Sequence, residues 1–217
     1  MKRVIVANSK RDVLYAGEKS LCQQVGVPRE IYEDSRYDAQ QLEQLRLGYE
    51  AGIDISTYAN PKYSYFRMSL IRQALEHGVQ DVSLLKDTQY ESGQYHAIYT
   101  GLIEGLDVSI YSDPRFDSQQ MLKILRGLES GVDVSIYADP EFGWLEMEFI
   151  VENLEKGNDV SAYANPQFNY WQMKEIQSGL NYRINVSEYA DPSIPAEEMY
   201  AIKRQLLAEK HSRRRQR

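Results

Sequence analysis

The sequence is poor in the residues on which covalent catalysis, metal binding and cross-linking depend. Among 217 residues there is one cysteine and there are three histidines. Cys22 stands alone, so no internal disulfide can form, and a reducing, cytoplasmic location is expected. His77, His96 and His211 have neither nucleophile nor metal-ligand spacing around them. HExxH and phosphate-cradling glycine loops are lacking. The sequence therefore reads as non-enzymatic, with no cofactor or metal. No apolar run approaches the ~20 residues of a membrane span. Val4-Ile5-Val6 is too short for a signal-peptide core. Positive charge is scarce as well. The net charge is −7, which argues against binding nucleic acid over the whole surface. Lys210, Arg213, Arg214, Arg215 and Arg217 place +5 at the C-terminus, so the body before residue 210 carries −12.

What the chain has in abundance is repetition. Ser109, Ser135, Ser161 and Ser187 stand 26 residues apart, with Ser56 and Ser83 upstream. A tyrosine two places later recurs as Tyr58, Tyr111, Tyr137, Tyr163 and Tyr189. A proline three beyond that recurs as Pro61, Pro114, Pro140, Pro166 and Pro192. A fixed period of this length marks a stacked repeat architecture. Each unit carries apolar residues at i, i+3 and i+7, as in Met121, Ile124 and Leu128, or Met147, Ile150 and Leu154. That spacing predicts one apolar stripe on each of seven helices. Glycine stops each helix (Gly52, Gly78, Gly105, Gly131, Gly157) because it accepts the left-handed backbone of a C-terminal cap. A recurring small residue inside the helices (Gly48, Ala74, Gly101, Gly127, Gly179) calls for a packing reason, since glycine there costs roughly 1 kcal/mol against alanine.

The connector DVSxYADP has its own chemistry. Its Asp or Ser caps a short helical turn that carries the Val and Tyr. The Asp/Asn-Pro pair after it resembles a cap with Pro in the first helical position. The fold class expected is all-α, an α-solenoid of about seven ~26-residue helix–turn–short-helix repeats. Residues 1–34 form a degenerate N-terminal capping unit with a helix ending near Gly26, and VIV as a short strand or an apolar plug. Residues 35–209 form the array, and 210–217 a basic C-terminal tail that either contacts phosphates or solubilises the end and meets the acidic body.

The regular Asp positions (Asp54, Asp81, Asp107, Asp133, Asp159) invite a calcium reading, but calcium loops cluster several carboxylates within about a dozen residues. Helix capping accounts for one per repeat. The tyrosine ladder reads as rings packed between units rather than a stacking platform for bases. Two features depart from the repeat. An aromatic column opens some helices (Tyr65, Trp144 and Tyr170) where others have Ala39, Ser92 or Ser118. The unit at 78–99 has an extra residue, Gln80, and Leu85, Thr88 and Tyr95 in place of the usual Tyr, Pro and Met. A partner is read by positions that vary, so the candidate partner-binding residues are Tyr65, Lys86, Asp87, His96, Tyr99, Trp144 and Tyr170.

The pattern QM-x-x-I-x-x-GL-x-x-G-x-DVS-x-YADP, from Gln120 to Pro140 and more weakly from Gln172 to Pro192, resembles short helical repeats in proteins of Firmicutes genomes and their mobile elements. The resemblance covers roughly residues 36–208 and implies a helical array with no assigned activity. Three functions remain open. The first is a scaffold that binds another macromolecule, a protein first of all. The second is a phage or mobile-element inhibitor whose acidic body occupies a basic groove on a host nuclease or defence complex, in the manner of an anti-CRISPR. The third is binding of RNA or single-stranded DNA through tyrosines and the Arg-rich tail.

Overall fold

The repeated connectors dictate the fold by cutting the chain into helices of nearly equal length. The computed structural model describes residues 10–215, with side chains to Arg213. VIV at 4–6 and the last basic side chains lie outside the described residues. Ten α-helices and no strand occur among the described residues. They are α1 (Lys10–Val25), α2 (Arg29–Tyr32), α3 (Ala39–Glu50), α4 (Tyr65–Glu76), α5 (Ser83–Lys86), α6 (Ser92–Ile103), α7 (Ser118–Ser130), α8 (Trp144–Glu155), α9 (Tyr170–Asn181) and α10 (Ala196–Arg215). The chain divides into two units, Met1–Gly105 and Leu106–Arg217. In the first, α1 packs on α3, α3 on α4, and α4 on α6. In the second, α7 packs on α8, α8 on α9, and α9 on α10.

Helix starts follow from a short-range exchange that the sequence reading missed. Asp38, Asp117 and Asn169 cap α3, α7 and α9, and the Gln three places on returns a bond to the cap's own backbone. This D/N-x-x-Q box satisfies two orphan donors at once. The stops are as expected: Gly52, Gly78, Gly105, Gly131 and Gly157 all have positive φ. Arg183 takes that place after α9, at φ 54. The connector Asp residues cap as expected. Asp54, Asp107 and Asp133 accept the amides of Ser56, Ser109 and Ser135 at the head of 3-10 turns.

Two expectations need correction, the Asp/Asn-Pro pairs and the third stripe position. The Asp/Asn-Pro pairs do not open helices. They open turns, in which Asp139 accepts the Glu141 amide at 3.0 Å and the Phe142 amide returns to the Asp139 carbonyl at 3.0 Å. Pro at the second place of such a turn has its φ already set. The basic end is helical as far as Arg215, as the continuation of α10. The third stripe position is also misplaced: Leu128, Leu154 and Leu180 are only half-buried. The residues buried beside Met121 and Ile124 are Leu125 and Gly127, and beside Met147 and Ile150 it is Val151. In α8, with α7 on one side and α9 on the other, the buried stripe is wider than packing on a single neighbour would give.

The ladder tyrosines form the core. Tyr58, Tyr111, Tyr137, Tyr163 and Tyr189 are at most 1% exposed. The hydroxyl of Tyr58 donates to the Gln44 carbonyl at 2.9 Å, Tyr137 to Lys123 at 3.1 Å, and Tyr189 to Glu175 at 3.3 Å. These three rings therefore tie a connector to the helix before it, and their hydroxyls fill the space left by Gly48, Gly127 and Gly179. Where the ladder residue is Leu85, the helix position holds Ala74 instead.

Candidate interaction surface

Helix starts place the aromatic column, and the first-turn side chains place the helix starts. Gln41 Nε2 donates to the Pro61 and Tyr63 carbonyls at 3.2 and 2.5 Å, and Gln120 repeats this with Pro140 and Phe142 at 3.0 and 2.5 Å. Each helix thus holds the connector that leads into the next helix. In α8 the position is Glu146, which has no N–H to give. Its Oε1 instead accepts the Tyr170 amide at 2.7 Å and fixes the head of α9. The cap before it is Gly143, where a β-carbon would meet Glu146 Oε2 at 2.3 Å.

In the second unit this leaves a set of apolar side chains in solvent. Trp144 is 42% exposed, Leu145 44%, Trp171 62% and Tyr200 48%. Tyr170 is half-buried, 5.6 Å from the Phe149 ring and 5.1 Å from that of Trp171, edge-on to both. Cations stand over several rings. Lys123 Nζ is 5.8 Å from the Trp144 centroid, and Lys174 Nζ is 5.2 Å from Tyr170 and 5.0 Å from Trp171. Of the candidates read from sequence, Trp144 and Tyr170 fall in this set. Trp171, next to Tyr170 in sequence, is not among those candidates. Tyr200 gave no signal beyond being an aromatic residue in a column that holds Glu148 and Lys174 in the preceding units.

The other candidates belong to the first unit and do not behave alike. Tyr65, at the head of α4, is 45% exposed. Lys86 and His96 are exposed, and Asp87 is half-buried. The Asp87 carbonyl accepts from Arg67 and from the Tyr95 hydroxyl. Tyr99 is a core residue, 9% exposed, with its hydroxyl 3.4 Å from Gln73 Oε1. It was expected to face a partner. It shares the column of Leu125 and Val151, which the i, i+3, i+7 stripe leaves out and the wider buried face includes.

The irregular unit has a structural compensation. Arg67 occupies the Gln41 column but is a longer side chain. It lies 6% exposed, with Cζ 4.1 Å above the Tyr63 ring and 4.8 Å from that of Tyr95. Its Nε donates to the Leu85 carbonyl at 2.6 Å, and its guanidinium also reaches the Asp87 carbonyl. The extra residue Gln80 lengthens this connector, and the longer reach of Arg closes it.

Elsewhere the chemistry is quiet. No group of three or more His, Cys, Asp or Glu among the described residues is placed to hold a metal ion. Cys22 is fully buried, and burial pushes its thiol up to about 11, away from the thiolate form that reacts. No helix among the described residues is long and apolar enough to cross a membrane. Comparison of the chain with protein-family models, with curated proteins and with solved structures finds no match.

Proposed function

We propose that the chain is a non-enzymatic helical-repeat scaffold, an α-solenoid whose second unit binds a protein partner. The observation that carries this reading is the set of exposed aromatic and apolar residues at the heads of α8 and α9 and in α10: Trp144, Leu145, Trp171 and Tyr200. The same columns hold Ser118, Gln119 and Glu148 in neighbouring repeats, so the repeat itself requires no ring there. Tyr and Trp supply large rigid area at small entropic cost, which is why they dominate binding hot spots. Isolated exposed apolar residues are ordinary, but several large ones on adjacent helices mark an interaction face.

The test is affinity capture with the full chain beside the Trp144→Ala/Trp171→Ala double variant, with thermal melts of both. Captured protein is expected to be lost from the variant at an unchanged melting temperature, each ring contributing about 1–3 kcal/mol of binding. Capture of the same protein by both forms removes this surface from the reading. Recovery of nucleic acid alone, released by salt, favours the RNA or single-stranded DNA alternative.

A further inference from the structure

The cleft between α9 and α10 has a chemistry of its own. It encloses about 280 Å3 and is lined by Trp171, Glu175, Ala196, Glu197 and Tyr200. It exists because Ala196 opens α10 in the column where Trp144 and Tyr170 open α8 and α9, so a ring is missing between Trp171 and Tyr200. Both charged residues of the lining are carboxylates, and both rings are among the most exposed large side chains of the unit. The Glu197 carboxylate makes no hydrogen bond or ion pair with any described residue, and Glu175 uses only Oε2.

The fold already binds one cation with part of this set. Lys203 is 6% exposed, and its Nζ stands 2.5 Å from Glu175 Oε2, 2.9 Å from Ser178 Oγ and 5.2 Å from the Tyr200 centroid. One ammonium is thus held from the inner side by a carboxylate and a ring. On the outer side, Trp171, Tyr200 and Glu197 offer ring faces and an unpaired carboxylate to solvent. Aromatic faces beside a carboxylate recognise an ammonium or guanidinium.

We propose that this cleft takes one arginine or lysine side chain from a basic segment of a protein partner. The proposal rests on the protein-scaffold reading above and supplies the partner's chemistry. A guanidinium fits best, since its plane stacks on an indole while its edge donates to a carboxylate. The chain's net charge of −7, with two carboxylates in the cleft lining, favours a basic partner and disfavours phosphate. Two cations oppose binding from outside the lining: Lys174 Nζ, 5.0 Å from the Trp171 ring, and Arg204 Cζ, 5.8 Å from that of Tyr200. Arg204 competes for the ring that the partner uses, and its removal strengthens binding.

The experiment titrates the full chain with a Gly/Ser peptide containing spaced arginines, and with the same peptide carrying neutral citrulline instead. The Trp171 indole N–H resonance, assigned by its loss in Trp171→Ala, reports occupancy. The arginine peptide is expected to shift it saturably and to bind about 10-fold more tightly than the citrulline peptide, a difference of about 1.4 kcal/mol. Raising the salt weakens binding, Glu197→Gln removes most of the difference, and Arg204→Ala tightens it. Melting curves of Glu197→Gln separate lost binding from a weakened α10, whose first turn also gains from an acidic residue. Equal affinity for the two peptides, or an unchanged affinity in a folded Glu197→Gln variant, overturns the proposal. A larger Trp171 shift with a single-stranded oligonucleotide overturns it as well. If the arginine peptide binds but the double tryptophan variant, which also lacks a wall of the cleft, still captures its protein, the scaffold surface fails and the partner is not held through the cleft either. The converse pair of results condemns the cleft alone.

Discussion

The hydroxyl of Tyr137 stands 2.0 Å from the point where a β-carbon on Gly127 would lie. Tyr58 with Gly48 and Tyr189 with Gly179 repeat the relationship at 1.9 Å each. Glycine in these helices is therefore required by a phenol, which passes through the vacant position to donate to a carbonyl one turn earlier. The cost of glycine in a helix is offset by burial of a ring and satisfaction of its hydroxyl.

That relationship predicts opposite outcomes for two Gly→Ala substitutions in helices. Gly127→Ala gains helix propensity but drives a methyl group into Tyr137 and into Val134, whose Cγ1 is 2.7 Å from the same point. A net loss of about 1–3 kcal/mol is expected. Gly17 in α1 has nothing within 4 Å of its β-carbon position, so Gly17→Ala is expected to gain roughly 0.5–1 kcal/mol. Denaturant unfolding of the two variants decides, and a stabilised Gly127→Ala removes the steric argument.

The ladder contains an exception that can be read the same way. In the column of the small residues α8 has Asn153, whose Nδ2 donates to the Phe149 carbonyl at 2.8 Å. That carbonyl is the counterpart of the one Tyr137 uses, and the buried Tyr163 hydroxyl is left without a partner. Tyr137→Phe is expected to lose about 1 kcal/mol, whereas Tyr163→Phe is expected to be neutral or stabilising because it removes an unsatisfied polar group. Equal losses in the two melting curves contradict this.

Arg67 tests whether the irregular unit is held by a compensating side chain. Arg67→Met keeps the apolar stem between Tyr63 and Tyr95 but leaves the Leu85 carbonyl without its donor. A loss of about 1–3 kcal/mol is expected. Arg67→Lys is not expected to restore it, because a single ammonium does not reproduce the two-carbonyl fork. Stability equal to the parent in either variant shows that Gln80 is accommodated in some other way.

Alkali should unfold the chain in a defined window. Burial pushes the Tyr189 phenol up to about 12 from an ordinary value of 10.0, and pushes Tyr58, Tyr137 and Tyr163 up further. A raised phenol keeps its proton in the folded chain, while the unfolded chain releases its own once the ordinary value is passed. Stability from these rings is therefore complete below pH 10.0 and is lost as pH rises toward and through about 12. Helix content and tyrosinate absorbance should change together over that range. Tyrosinate that rises fully before any helix is lost shows the ladder open to solvent.

The sequence by itself determined the helices, their glycine stops and their aspartate caps, because each depends on groups within about four residues of one another. It also carried the Gly–Tyr and Ala74–Leu85 pairing, legible as two columns that change together. Only the tertiary structure decided how much of each helix is covered. Packing drew Tyr99 inward, its hydroxyl toward Gln73 of α4, and left Leu128 only half-buried. It likewise decided that Arg67 spans the lengthened connector and that Ala196 opens a cleft between Trp171 and Tyr200. Those relations join side chains about 20 to 30 residues apart in sequence, at distances set by helix packing, which local spacing does not encode.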